Sequence, residues 1–90
     1  MTVVEKFHYI YDPMRITYGL MFRYKSGYGE YLIEIYQKQK LSTELKRIIK
    51  VEAESFEEVY ESATLDLIRW HELANYKKRR EQNETNSSRM

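Results

Sequence analysis

The chain contains no cysteine, one proline and only three glycines among its 90 residues. Without cysteine it can form neither a disulfide nor a thiolate zinc site. The scarcity of glycine and proline, together with nine tyrosines, indicates ordered structure. No apolar run is long enough for a transmembrane helix, and no apolar run follows a basic start as in a signal peptide. We therefore expect a cytoplasmic protein without a membrane partner.

The chain also has no large excess of positive or negative charge, since 15 basic and 14 acidic residues leave a formal net charge of +1. This balance argues against a chain devoted as a whole to nucleic acid or anionic membrane, although a local basic patch is compatible with it. The length and an apolar content of 42% predict one globular domain over residues 1–82. Residues 83–90 carry no apolar anchor and predict a disordered tail.

The longest regular pattern runs from Ser55 to about Gln82 and predicts a helix. Ser55 is followed three residues later by Glu58, which is the capping-box signature of a helix start. Apolar residues then recur at steps of three and four, which places them on one face of the helix. These residues are Phe56, Val59, Tyr60, Ala63, Leu67, Trp70 and Ala74.

The segments before this helix predict β-strands, because aromatic and β-branched residues alternate with polar ones. Asp12-Pro13 is expected to end the first strand, since proline cannot donate to a sheet ladder. Two glycines between residues 25 and 29 predict a hairpin, and residues 39–44 predict a polar loop. The predicted strands are Val3–Tyr11, Arg15–Tyr24, Tyr31–Lys38 and Leu45–Ala53.

These elements predict an α+β domain of two layers. A four-stranded antiparallel sheet, connected as a meander, would be covered on one face by the single long C-terminal helix. Truncation of Trp70 to alanine is expected to cost about 3–5 kcal/mol. The predicted core consists of Phe22, Ile33, Ile35, Ile49, Val51, Val59, Ala63, Leu67 and Trp70.

Catalytic motifs are missing from the sequence. No metal-ligand spacing surrounds His8 or His71, and the glycines of the hairpin precede no helix that could bind phosphate. The acidic pair Glu57-Glu58 has a structural explanation, because negative charge complements the dipole at a helix start. We expect no catalytic residues, no bound metal, no cofactor and no small-molecule substrate.

The uncovered face of the predicted sheet is the first candidate site. Strand alternation directs Leu32, Glu34 and Tyr36 away from the helix, and the predicted face carries several aliphatic residues and few basic ones. Such a surface is typical of protein binding or self-association into a dimer. We expect a small non-catalytic regulator or inhibitor, of the kind that bacteria, phages and mobile elements encode. The predicted protein-binding residues are Met21, Leu32, Tyr36 and Ile48.

A basic run at the helix end supports an alternative function in nucleic-acid binding. It consists of Lys77, Lys78, Arg79 and Arg80. Cations at this position also stabilise a helix through its dipole, and we favour that explanation. Basic residues of the sheet would extend a phosphate-binding surface. They are Arg23, Lys25, Lys46, Arg47 and Lys50.

Overall fold

The described part of the chain folds into two helices and one antiparallel sheet. The structure is a computed structural model that describes the backbone of residues 1–88 and the side chains of residues 1–77. The sheet has three strands in the order β1-β2-β3. The elements are α1 (Val3–Tyr18), β1 (Leu20–Gly27), β2 (Glu30–Lys38), β3 (Leu45–Ala53) and α2 (Phe56–Ser88).

The α+β class is confirmed, but the prediction of four strands and a single helix is wrong. The first predicted strand and the start of the second form one helix, α1, over Val3–Tyr18. The Thr2 hydroxyl caps this helix by accepting a hydrogen bond of 3.1 Å from the Glu5 amide. Thr2 and Glu5 have the spacing of a capping box. That signal marks the start of a helix, although the aromatic residues that follow it also alternate as in a strand.

Burial along α1 follows the helical period. Phe7, Tyr11 and Met14 are buried at steps of four and three residues, whereas Tyr9 is 74% exposed. In a strand Tyr9 would have shared a face with Phe7 and Tyr11. Pro13 lies inside the helix rather than in a turn.

Gly19 ends α1 and starts the sheet. Its φ of 66° is left-handed, and its amide donates to the Arg15 carbonyl, as is usual at a helix C-terminus. The Gly19 carbonyl then accepts a hydrogen bond of 3.0 Å from the Lys38 amide at the end of β2. A glycine is needed here because a left-handed backbone strains residues that carry a Cβ.

The predicted hairpin is confirmed. β1 pairs with β2 from Leu20–Gln37 to Gly27–Glu30, and the two residues between the strands are Tyr28 and Gly29. Both have positive φ, 54° and 75°, which is the geometry of a type I′ turn. The last predicted strand is also confirmed as β3, and it pairs with β2 through a bulge next to Ile35 and Tyr36.

Both helices pack on the same face of the sheet. Phe7 of α1 contacts Phe22 of β1 and Tyr60 of α2, with ring centroids 5.2 and 5.5 Å apart. Ser55 caps α2 as predicted, because its hydroxyl accepts a 3.2 Å hydrogen bond from the Glu58 amide. We call this side of the sheet the covered face.

The core combines predicted and unpredicted residues. All the predicted core residues except Phe22 and Trp70 are buried, and these two are partly buried against the core. The buried residues absent from the predicted core are Phe7, Tyr11, Met14, Leu20 and Tyr60, and the first three of them lie on α1. The predicted tail over residues 83–90 lies outside the part of the chain whose side chains are described.

Candidate functional site

The face of the sheet opposite the helices carries a regular array of side chains, which we call the open face. Strand register arranges it in three rows that run across β1, β2 and β3. The central strand contributes Leu32, Glu34 and Tyr36, which strand alternation correctly directed to this side. The rows are Met21–Tyr36–Arg47, Arg23–Glu34–Lys50 and Lys25–Leu32–Glu52.

Glu34 lies at the centre of the array and is only 7% exposed. Its Oε2 atom accepts hydrogen bonds from the Tyr36 hydroxyl at 2.8 Å and from the Arg47 guanidinium at 3.3 Å. Burying a carboxylate without such hydrogen-bond donors would destabilise the folded state. The two bonds compensate its loss of water and hold Tyr36 and Arg47 beside it.

The same contacts shift the pKa values of Glu34 and Tyr36. The Tyr36 hydrogen bond lowers the pKa of Glu34, and Arg47 and Arg23 lower it further, whereas desolvation acts in the opposite direction. The pKa of Tyr36 is raised, mainly because its hydroxyl donates to the Glu34 carboxylate. At neutral pH the cluster is therefore an ionised carboxylate bound by a neutral phenol and a cation.

Charge on the open face is mixed, with a basic excess. Four basic and two acidic side chains stand in the three rows, which leaves an excess of two positive charges. Glu34 pairs with Arg47, and Glu52 pairs with Lys50 at 3.2 Å. Arg23 and Lys25 on β1 account for the excess, so the β1 side of the face is its most basic part.

Apolar side chains stand among these charges. Met21 is 54% exposed, while Leu32 and Tyr36 are partly exposed. A concavity of about 390 Å³ lies at the hairpin end of the sheet, and Lys25, Leu32 and Glu52 of the open face contribute to its lining. The open face thus combines apolar contacts, fixed polar groups and a recess within one continuous surface.

Three of the four predicted protein-binding residues lie together on this face, and Ile48 does not. The bulge in β3 places Arg47 opposite Tyr36, and Ile48 packs against the hydrophobic core. A bulge inserts one extra residue and so reverses the alternation beyond it. Sequence alternation also missed the Glu34–Arg47 pair, because the pairing depends on strand register.

The basic residues predicted to bind nucleic acid and described in the structure lie on different sides of the molecule. Lys77 is exposed on α2, which packs on the covered face, whereas Arg23, Lys25, Arg47 and Lys50 lie on the open face. Lys46 pairs with Gln37, one position out of phase with the open face. The side chains of Lys78, Arg79 and Arg80 lie outside the described residues.

The histidines make local contacts within their helices. His8 Nδ1 lies 3.1 Å from Asp12 on α1, and His71 Nε2 lies 3.3 Å from the Asn75 amide on α2. His8 is therefore a helical residue, which corrects its assignment to a strand. Among residues with described side chains, no group of three potential metal ligands comes together.

No protein-family model, curated protein or solved structure matches this chain. Within the described residues, neither helix has a stretch apolar enough and long enough to cross a bilayer.

Proposed function

We propose that this chain is a non-catalytic protein-interaction module that binds a protein partner through the open face. In this proposal it acts in the cytoplasm as a small regulator or inhibitor, of the kind that phages and mobile elements encode. The observation that carries the proposal is the hydrogen-bonded Glu34–Tyr36–Arg47 cluster, set beside exposed Met21 on a sheet face that lies opposite both helices.

The composition of the open face supports a protein partner. Interface cores are enriched in aromatic residues, methionine and arginine, and Met21, Tyr36 and Arg47 form one row of the array. Arg47 is half-exposed and held by Glu34, so less side-chain entropy is lost when it pairs with a carboxylate of the partner. The recess beside Leu32 is of a kind that can receive an anchoring side chain.

The charge distribution defines the partner further. Arg23 and Lys25 give the β1 side a basic excess, which complements an acidic surface. A partner that matches the face would place apolar side chains against Met21 and Leu32, and carboxylates near β1. Electrostatic attraction of this kind mainly accelerates association and suppresses incorrect partners.

The state of Glu34 supports a binding role over a catalytic one. A general base works best with a pKa near the operating pH, and enzymes raise the pKa of a carboxylate to reach it. The contacts of Glu34 lower its pKa instead. Its two hydrogen bonds also occupy the carboxylate oxygen Oε2, so its role in this proposal is to position Tyr36 and Arg47.

Site-specific photo-crosslinking tests the proposal in the cells from which the gene derives. A photoreactive residue at Met21 or at Leu32 should capture the same protein partner. The matched control is Tyr9, which is 74% exposed on the outer side of α1 and should capture nothing specific. The proposal fails if no partner is captured from Met21 and Leu32, or if Tyr9 captures the same partner with equal yield.

Nucleic-acid binding is the second candidate, and the four basic side chains of the open face favour it. Glu34 and Glu52 stand among them and would repel phosphates. If four phosphates were neutralised, the logarithm of affinity for duplex DNA would fall with the logarithm of salt at a slope of about −3 to −4. A gel shift that shows no binding to DNA or RNA at low salt would remove this candidate.

A further inference from the structure

The outer side of α2 carries large apolar residues that are exposed to solvent. Leu65, Leu73 and Tyr76 are 54%, 62% and 64% exposed. Together with Arg69 and Glu72 they occupy an arc of about 100° along three turns of the helix. We call these five residues the helix stripe.

The helix stripe cannot contribute to the core of its own domain. Val59, Ala63 and Leu67 are fully buried on the other side of α2, where the helix packs on the sheet. Leu67 lies about 170° around the helix axis from the centre of the stripe. Scattered exposed leucines are ordinary, but three large apolar residues aligned on one outer stripe mark a contact surface.

We propose that the helix stripe binds a second copy of this chain, with the two α2 helices packed antiparallel about a two-fold axis. A two-fold interface must be complementary to itself. The axis would pass between residues 70 and 71, so that Leu65 meets Tyr76 of the second copy. Arg69 then meets Glu72 of the second copy, and the same pair forms again on the other side of the axis.

The charges of the helix stripe favour antiparallel over parallel packing of the two α2 helices. A parallel pairing of identical helices would place Arg69 beside Arg69 and Glu72 beside Glu72, which is repulsive. The antiparallel pairing converts the same four residues into two ion pairs. Arg69 is available for this contact, because its side chain is 72% exposed and its pair with Asp66 is long, at 3.9 Å.

The size of the contact predicts a weak dimer. A stripe of three helical turns buries less than the roughly 800 Å² per partner of a standard interface. Dimerisation should therefore depend strongly on protein concentration. It would be independent of the open face, which lies on the opposite side of the sheet from α2.

Sedimentation equilibrium of the full chain over a series of concentrations tests this proposal. The wild type should dimerise, and Leu73→Glu should abolish the dimer. The single variants Arg69→Glu and Glu72→Arg should each raise the dissociation constant of the dimer about tenfold or more. The two-fold axis repeats every contact, so each single charge reversal creates two like-charge contacts. The double variant Arg69→Glu/Glu72→Arg should restore the dissociation constant to within about threefold of wild type.

Two controls separate this interface from other surfaces. Lys40→Glu reverses an exposed charge in the loop between β2 and β3 and should leave dimerisation unchanged. Leu32→Lys alters the open face and should also leave it unchanged. A wild type that remains monomeric at the highest concentration overturns the proposal. A dimer lost with Leu32→Lys, or a double variant that fails to restore dimerisation, likewise overturns it.

Discussion

The Tyr36 hydroxyl donates a 2.8 Å hydrogen bond to the Glu34 carboxylate, two residues earlier on the same strand. The pair stands on the uncovered side of the sheet, where Arg47 of the neighbouring strand completes it at 3.3 Å. Alternation along one strand puts Glu34 and Tyr36 on the same face, and the β2–β3 register brings Arg47 to them. Strand alternation and register therefore build the cluster at the centre of the surface proposed for binding.

Acid titration should reveal the lowered pKa of Glu34. A carboxyl group whose pKa is lower in the folded state contributes stability above its unfolded pKa. That contribution is lost as pH falls through the folded pKa. We expect Glu34→Gln to be less stable than wild type near neutral pH, and the difference to shrink in acid. Urea unfolding at a series of pH values measures it, with exposed Glu61→Gln as the control for loss of one charge.

Alkaline titration should reveal the raised pKa of Tyr36. The neutral phenol is favoured in the fold, so its contribution to stability is present below the unfolded pKa and lost as pH rises through the folded pKa. Glu34→Gln should lower the pKa of Tyr36 towards its ordinary value of 10.0. NMR of the ring resonances follows this. The raised pKa of Tyr60 is a control, because burial causes it and Glu34→Gln should not change it.

Most of the open face could be predicted, because the β1–β2 hairpin has a strong local signal. The Tyr28-Gly29 turn fixes the register of the two strands, and alternation then places Met21, Leu32 and Tyr36 on one side. The β3 side could not be predicted fully. No glycine marks the bulge at Arg47 and Ile48. Simple alternation along β3 therefore assigns Ile48, rather than Arg47, to the open face.

The sequence of α1 predicts a strand as readily as a helix because it satisfies two periods at once. Phe7, Tyr9 and Tyr11 alternate as in a strand, while Phe7, Tyr11 and Met14 recur as in a helix. Pro13 also predicts a turn after the first strand. Tertiary packing decides between the two, because the helical set reaches Phe22 and Tyr60 in the core.

Pro13→Ala should stabilise the protein. Proline inside a helix removes one backbone donor and crowds the preceding turn, and it is about 3 kcal/mol less favourable than alanine there. The greater freedom of alanine in the unfolded chain reduces the gain. We expect the free energy of unfolding to rise by about 1–3 kcal/mol in urea titration. If Pro13 lay in a turn between two strands, the same change would destabilise the protein. A decrease in the free energy of unfolding would therefore contradict the assignment of Val3–Tyr18 to a helix.

Phe7→Ala and Tyr9→Ala should have very different effects on stability. Phe7 is fully buried and contacts rings on β1 and α2, so its truncation should cost about 3–5 kcal/mol. Tyr9 is 74% exposed, and its truncation should change the free energy of unfolding by about 0.5 kcal/mol or less. A strand over residues 3–11 would place both rings on one buried face and make both changes costly. Parallel urea unfolding of the two variants therefore distinguishes the helix from the strand, and similar large losses in both would refute the position of α1 on the sheet.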